Sequence, residues 1–413
     1  MGNFIQRGRV EAQSRPERDR WTFYEAINVW EENHMDMKIM GQKELQKEVK
    51  DAYFCTGCGA CVNLCPYQAS YKDQVVMLHS CDLKEGGCYA FCPRTPTDLE
   101  TLKRRLFEPK DLMPEIGAVK GFYLARSAAP EIRAKAQHGG TATTLITLAL
   151  QEGIIDTAIL ADEGENLLPE GAAVQDPAGI KKRSKSKFVV SPNIAEFNRI
   201  AKEGGKKIGV VVTPCQALAL AKMRLKPLKT YADRIDQLKL VIGLFCGWAL
   251  SWKNLSALLR KKIELAEIEG MDIPPSKYHI LKLFTKKGTI DVSLDEVTSA
   301  VRGACWYCPD LTAEFSDLSV GSARLPEGWE EAKGWNQVIV RTSLGEQLLD
   351  LAKKKGLLEF REVPEGNLAK LKTASLGKKK TAVKNLKMRS HDPKNLYYLD
   401  PEDPVLGPLA SGA

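Results

Sequence analysis

Short apolar runs alternate with amphipathic stretches through the middle of the chain. Asp156-Thr-Ala-Ile-Leu160, Lys207-Ile-Gly-Val-Val-Val212 and Leu238-Lys-Leu-Val-Ile-Gly-Leu-Phe-Cys246 are brief, rich in β-branched residues and bounded by polar or turn residues, which predicts strands. Helical spacing over Ala195 to Lys202 and Ala217 to Arg224 fills the intervals between them. Such alternation predicts an α/β fold with a mixed or largely parallel sheet and crossover helices. Leu145-Ile-Thr-Leu-Ala-Leu150 predicts a further helix, preceded by Lys135-Ala-Gln-His-Gly-Gly-Thr-Ala-Thr-Thr144. A glycine pair at a helix start lets backbone amides approach an anion such as a pyrophosphate, although a plain helix start is the commoner meaning of the same residues. There is no G-x-G-x-x-G after a strand and no P-loop, so a classical dinucleotide domain is not expected.

The ends of the chain read differently. Trp21, Phe23, Tyr24 and Trp30 recur at roughly helical intervals in a polar segment, which suggests an arm on a partner or a local cap. Pro401, Pro404 and Pro408 predict an extended tail that gains order only against another surface. Between Lys370 and Arg389 stand eight basic residues and no acidic one. A solvated face is the usual meaning of such a run. Docking onto an acidic partner subunit is preferred here over nucleic acid, for which no accompanying motif exists.

Composition narrows the class. With 413 residues, 44% hydrophobic and 27% charged, the chain is long enough for two to four folded domains. Its net charge of +8 is modest for that length. No apolar run reaches the roughly 18 residues of a membrane span. No secretory signal opens the sequence, so a cytoplasmic location is expected.

The cysteines carry the chemistry. There are 11. An odd count without a secretory signal disfavours a disulfide framework and leaves metal ligation. Cys55, Cys58, Cys61 and Cys65, followed by Pro66, form C-x2-C-x2-C-x3-C-P, the bacterial ferredoxin run that holds a [4Fe–4S] cube. Gly57 and Gly59 keep side chains away from the inorganic core. A zinc site is the alternative for so many thiols. In the two-cluster ferredoxin pattern the fourth cysteine of the run serves the other cube. Cluster one would then use Cys55, Cys58, Cys61 and Cys92, and cluster two Cys65, Cys81 and Cys88. One central cysteine of the second run is missing. That leaves a cube with a non-cysteine ligand such as Asp82, which we favour, a three-iron cluster, or no second cluster. Cys215 and Cys246 stand at strand carboxyl ends, where open α/β sheets bind ligands. Two buried free thiols would be the duller explanation, but Cys305-Trp-Tyr-Cys308 completes a set of four.

With these blocks in view, the sequence resembles the coenzyme F420 hydrogenase/dehydrogenase beta-subunit family with a bacterial-ferredoxin-like module. The matching blocks are Cys55 to Pro66, His138 to Thr143, Glu152 to Asp156, Lys185 to Pro192, Thr213 to Gln216, Ile242 to Cys246, Cys305 to Cys308, and Thr312 to Ser322 with Gly328-Trp329. Together they span about residues 50–345. The resemblance implies an α/β flavin-binding domain with a small α+β [4Fe–4S] domain. The corresponding division is a partner-contacting arm at 1–49, the iron–sulfur domain at 50–118, the FAD and [4Fe–4S] domain at 119–345, and a helix, basic segment and tail at 346–413. It implies that Cys215, Cys246, Cys305 and Cys308 hold the cluster nearest FAD. His138, Gly139, Gly140, Thr141 and Thr143 would contact the flavin, as would Ser186, Lys187 and Phe188. Thr213, Pro214 and Gln216 would lie under it, with Gly321 and Ser322 closing the site. Lys187 read without the resemblance is equally a solvated lysine in a basic stretch. No general acid is assigned.

The implied activity is electron exchange between two or three [4Fe–4S] clusters and coenzyme F420, by hydride transfer at FAD. Since no molybdopterin or nickel site is visible in the sequence, primary oxidation would fall to the catalytic alpha subunit of a formate dehydrogenase, the leading expectation, or of a hydrogenase. A heterodisulfide reductase could share the complex. The alternative is a flavin and iron–sulfur adaptor without F420 chemistry.

Overall fold

The computed structural model describes residues 39–274, 278–392 and 394–411. The aromatic arm with Trp21, Phe23, Tyr24 and Trp30 therefore lies outside the described residues.

Eight strands form one mixed sheet: β1 (Gly121–Ser127), β2 (Thr157–Asp162), β3 (Glu170–Val174), β4 (Ile208–Val212), β5 (Leu238–Leu244), β6 (Leu318–Ser322), β7 (Asn336–Val340) and β8 (Leu358–Arg361). Their order across the sheet is β8-β1-β7-β6-β5-β4-β2-β3. The centre is parallel, through β2–β4, β4–β5 and β5–β6. The flanks are antiparallel. All three strands expected from the hydrophobic pattern are present, shifted by no more than two residues. Parallel strands covered on both faces need side chains that are apolar on both faces, hence the unbroken runs.

Alternate residues feed two separate cores. Ile208, Val210, Val212 and Val241 pack with Ile194, Phe197, Ala217 and Leu220 of the helices α3 (Asn193–Glu203) and α4 (Pro214–Arg224). Leu240, Ile242, Val320 and Val338 pack on the other face with Leu145, Leu148, Leu348 and Leu349 of α2 (Thr141–Gln151) and α5 (Ser343–Lys354). The cysteine-rich segment joins the first core, through Leu45, Val49, Phe54, Phe91 and the helix α1 (Leu99–Leu106). Its hairpin pairs Gln68–Tyr71 with Gln74–Met77. The hairpin is tied down by Arg302, which donates to the Asp73 carboxylate at 2.5 Å with both side chains buried. An antiparallel three-stranded sheet, Ile268–Asp272, Ile280–Thr285 and Gly288–Ser293, has a third core of its own around Leu255, Leu281 and Leu283. No feature of the sequence had pointed to it.

The C-terminal region corrects two expectations. The residues after 394 are not an extended tail awaiting a partner. Leu406–Ser411 forms helix α7, and Leu406 and Ala410 join the same core as Val383 and Leu386 of α6 (Asn367–Ser390). Asp403 starts α7 by accepting the amides of Val405 and Leu406, both at 2.8 Å. Nor is the basic run wholly an outward docking face. Lys378 bonds the carbonyls of Cys246 and Asp310, Lys379 bonds Glu314, Lys387 bonds the Ala410 carbonyl, and the Arg389 guanidinium lies 4.6 Å from the Phe54 ring centroid.

Candidate functional site

The loop at Cys55–Pro66 is shaped by two glycines in left-handed backbone. Gly57 has φ 73° and Gly59 φ 84°. A Cβ on Gly59 would stand 2.7 Å from the Ala195 amide nitrogen, and one on Gly57 2.5 Å from the Asp73 carbonyl oxygen. The loop thus lies flat on the first turn of α3. Asn198 holds it there by donating to the carbonyls of Ala60 (3.1 Å) and Val62 (2.7 Å), and Asn63 donates back to the Ala195 carbonyl (2.8 Å). Replacing Gly59 by alanine adds left-handed strain of about 1–2 kcal/mol and a clash with backbone. We expect that variant to bind about four irons fewer per chain, measured by colorimetric iron assay after anaerobic reconstitution.

Cys55, Cys58, Cys61 and Cys92 line a small cavity with Leu45, Val49 and Val75. Burial pushes the Cys61 thiol well up, and Cys55, Cys58 and Cys92 push it further. Burial likewise raises Cys92, to about 11, against the opposing pull of Lys222. Such thiols remain protonated unless a metal displaces the proton. The buried ammonium of Lys222 donates to the Cys92 carbonyl and to Thr95 Oγ1, both at 2.8 Å. The sequence contained no signal for that lysine.

Cys65, Cys81 and Cys88 form the second group. Burial raises Cys88 to about 11, and Cys65 and Cys81 add to the shift. Cys81 is anchored through its amide, which donates to Gln42 Oε1 at 2.6 Å. Asp82, the expected non-cysteine ligand, is turned to solvent with 91% of its side chain exposed and pairs with Lys43 Nζ at 3.1 Å. The same three thiols, after burial itself, help push up the phenol of Tyr231, whose ring meets Phe91 edge-on at 5.4 Å.

Cys215, Cys246, Cys305 and Cys308 converge from three elements. Cys215 sits in the first turn of α4, where Thr213 and Gln216 cap each other and Thr213 Oγ1 lies 3.4 Å from Cys215 Sγ. Cys246 follows β5, and the Gly303–Tyr307 turn brings Cys305 and Cys308 together. Ala249 donates its amide to Cys305 Sγ at 3.4 Å. Burial drives Cys246 up, with Cys305, Cys215 and Cys308 adding to it. Cys308 is the exception. Burial alone would raise it, but Lys378 and Arg94 outweigh that and hold it below the ordinary thiol range.

These groups are arranged in sequence. Lys50 acts on both Cys88 and Cys61, linking the second group to the first. Cys215 acts on Cys58, and Thr56 lies beside both, linking the first to the third. A single zinc ion, with thiolates about 2.3 Å away, would require ligands meeting at one point. Among the described residues no three His, Cys, Asp or Glu side chains do so.

The remaining expected contacts lie along the carboxyl edge of the parallel strands. Gly139 accepts the Ser127 amide at the end of β1, Thr213 follows β4, and Gly321 and Ser322 end β6. The helix start at Gly140 is present, with φ 77° at the cap, but the amide of Thr141 is already taken by Asn336 Oδ1 at 3.2 Å. Pro214 and Gln216 are buried in α4, and Gln216 donates to the Ser191 carbonyl at 2.6 Å. Lys187 pairs with Glu163 at 3.3 Å beside the end of β2, and the Phe188 carbonyl accepts the Leu250 amide at 2.7 Å. Thr143 is buried and its carbonyl accepts from Thr147 Oγ1, while Ser186 is exposed. His138 packs edge-on against Trp329 at 5.5 Å, and its Nδ1 is buried without a partner among the described residues. Burial pushes its pKa down to about 4, so the ring is neutral near pH 7.

Residues 122–196 match the family described as coenzyme F420 hydrogenase/dehydrogenase, beta subunit N-term, and residues 205–366 match its C terminus. Residues 48–71 match a 4Fe-4S binding domain. The coenzyme F420 hydrogenase subunit beta of Methanothermobacter thermautotrophicus is 31% identical over 66% of this chain and 96% of its own length. The chain belongs to the coenzyme F420 hydrogenase/dehydrogenase beta-subunit family. It is an oxidoreductase subunit with a ferredoxin-like [4Fe–4S] module. In this family the F420-dependent formate dehydrogenase subunit beta of Methanocaldococcus jannaschii is 26% identical, over 56% of this chain and 59% of its own length. A chain from the xenon-derivatised F420-reducing [NiFe] hydrogenase complex of Methanosarcina barkeri has the same fold, with TM-score 0.60 and 28% identity over 67% of this chain and 95% of that one. Among the described residues no helix is long and apolar enough to cross a membrane.

Proposed function

We propose that this subunit passes single electrons through three iron–sulfur centres to FAD at the carboxyl edge of the sheet, where coenzyme F420 exchanges a hydride. The observation that carries the reading is geometric: Cys55, Cys58, Cys61 and Cys92 line one cavity, and Cys215, Cys246, Cys305 and Cys308 converge at the strand ends. Cys55, Cys58, Cys61 and Cys92 would hold one [4Fe–4S] cube, and Cys215, Cys246, Cys305 and Cys308 another. Cys65, Cys81 and Cys88 offer three thiolates to the second centre of the module. A flavin, when bound, exchanges electrons either singly or in pairs, which clusters and a deazaflavin cannot both do.

The chain's own residues suit such a ligand at the strand ends. His138 has a buried ring nitrogen without a partner among the described residues, on a neutral ring able to bond a carbonyl or amide. Lys187, balanced here by the exposed carboxylate of Glu163, can turn to an anionic or carbonyl group. Gly321 admits the Phe245 ring, since a Cβ there would stand 1.9 Å from it, so this wall of the site is apolar and flat.

The electron donor on this reading is a catalytic alpha subunit of another chain. The hydrogenase beta relative is matched over 96% of its length and the formate dehydrogenase beta relative over 59%, so similarity does not favour the formate dehydrogenase expected from sequence over a hydrogenase.

Anaerobically prepared protein should carry about 8–12 irons and one FAD and should reduce F420 with reduced viologen as donor. Viologen oxidation without F420 turnover would assign it instead as an adaptor between ferredoxin and a heterodisulfide-reductase-like partner. Colourless protein after reconstitution would end both readings.

A further inference from the structure

We propose that Lys378 is a fixed countercharge for the centre held by Cys215, Cys246, Cys305 and Cys308, and that it raises the reduction potential of that centre. The proposal rests on those four cysteines holding a cluster, as argued above.

Lys378 lies on α6, which begins at Asn367, directly after the family-matched region ends at residue 366. Its ammonium donates to the Cys246 carbonyl at 2.6 Å and to the Asp310 carbonyl at 2.7 Å. It therefore ties the loop of one ligand to the loop that follows another. A second cation stands nearby. Arg94, buried and directly after Pro93, donates to the Ala304 carbonyl at 3.2 Å and the Tyr307 carbonyl at 3.4 Å, around the turn that carries Cys305 and Cys308. The carboxylate of Asp310, two residues after Cys308, is turned back on its own loop, where it accepts the amides of Thr312 and Glu314, both at 2.9 Å. Glu314 in turn is engaged by Lys103 and Lys379. The net charge facing the four thiols is thus positive.

The physical consequence follows from charge. Reduction adds one electron to a site walled by protein, where Coulomb interactions are far stronger than in water. A cation held by two carbonyls cannot swing away, so it favours the reduced state of the centre over the oxidised one. Net local charge and hydrogen bonding are among the levers that set iron–sulfur potentials.

The test is an EPR-monitored redox titration of the anaerobic full-length protein. The signal to follow is the one abolished by Cys305→Ser. In Lys378→Met the ratio of reduced to oxidised centre at a fixed ambient potential should fall about tenfold, a downward shift of about 59 mV for one electron. Lys378→Arg should keep the wild-type potential. Lys380→Met, an exposed lysine of the same helix, should leave it unchanged. An unaltered potential in Lys378→Met with full iron content overturns the proposal. If Lys378→Met binds about four irons fewer, iron retained at the wild-type potential in Lys378→Arg supports it, and iron lost there too overturns it in favour of packing. Iron content unaffected by Cys305→Ser would instead overturn the underlying ligand assignment.

Discussion

Cys305→Ser should cost this protein about four irons per chain while leaving FAD bound. The serine hydroxyl replaces the thiol with little change in size, and the turn that carries it is held by backbone. Arg302 donates its amide to the Ala249 carbonyl at 2.9 Å, and its guanidinium is anchored on Asp73. The loss therefore reports ligation and not collapse of the loop. With the third thiol group emptied, the two groups of the ferredoxin-like module no longer connect to the strand ends. Viologen-driven F420 reduction should fall by more than the roughly 10–100-fold that removal of an outer ligand partner costs. Flavin absorbance, iron content and turnover, taken on the same anaerobic preparation, check the three parts together. Viologen reduction of FAD at the wild-type rate would show that electrons enter elsewhere.

Glu314→Ala should produce the largest loss of stability. Glu314 is 3% exposed and lies between Lys103 of α1, at 3.4 Å, and Lys379 of α6, whose side chains are 8% and 5% exposed. Removing the carboxylate leaves two interior ammoniums without their direct ion-pair partner. Breaking one side of a buried pair costs about 3–5 kcal/mol, and here two cations are stranded. The damage should concentrate where α6 meets α1, so hydrogen exchange of α6 amides is the proper readout in a chain with several cores. Glu314→Gln keeps the shape and should fall between wild type and alanine.

The pH dependence of that contact has a definite sign. Burial alone would push the Glu314 carboxyl up, but Lys379 and Lys103 outweigh burial and hold it below its ordinary value of 4.5. A carboxyl depressed in the folded state stabilises fully above its unfolded value and progressively less as pH falls through the folded one. Protection of α6 should therefore be flat above about pH 5 and decline below it. Glu314→Gln should remove that part of the decline.

Much of the chemistry was legible in one dimension because ligand spacing is local. The ferredoxin run must curl within a few residues, so its cysteines and glycines stand together in the chain. That Cys92 neighbours Cys55, Cys58 and Cys61, and that Cys65 and Cys81 neighbour Cys88, also follows the repeat logic. The strands β2, β4 and β5 were legible because a strand buried on both faces is apolar throughout. The three-stranded sheet at 268–293 was not, since its strands alternate and merge with the surrounding polar residues. Asp82 was a reasonable candidate ligand by position alone, yet its side chain is paired with Lys43 in solvent.

The basic run and the proline-rich end show the limit most clearly. By composition they looked like a surface and a tail. Whether a lysine faces water depends on what stands opposite, and for Lys378 and Lys379 that is a carbonyl cage and a carboxylate more than sixty residues away in the chain. Local order thus showed which thiols cluster in the chain and which segments make strands. Only the folded chain decided that Arg94, Thr56, Lys222 and Lys378 stand beside those thiols, because charges far apart in sequence become neighbours only when the helices that carry them pack on the same core.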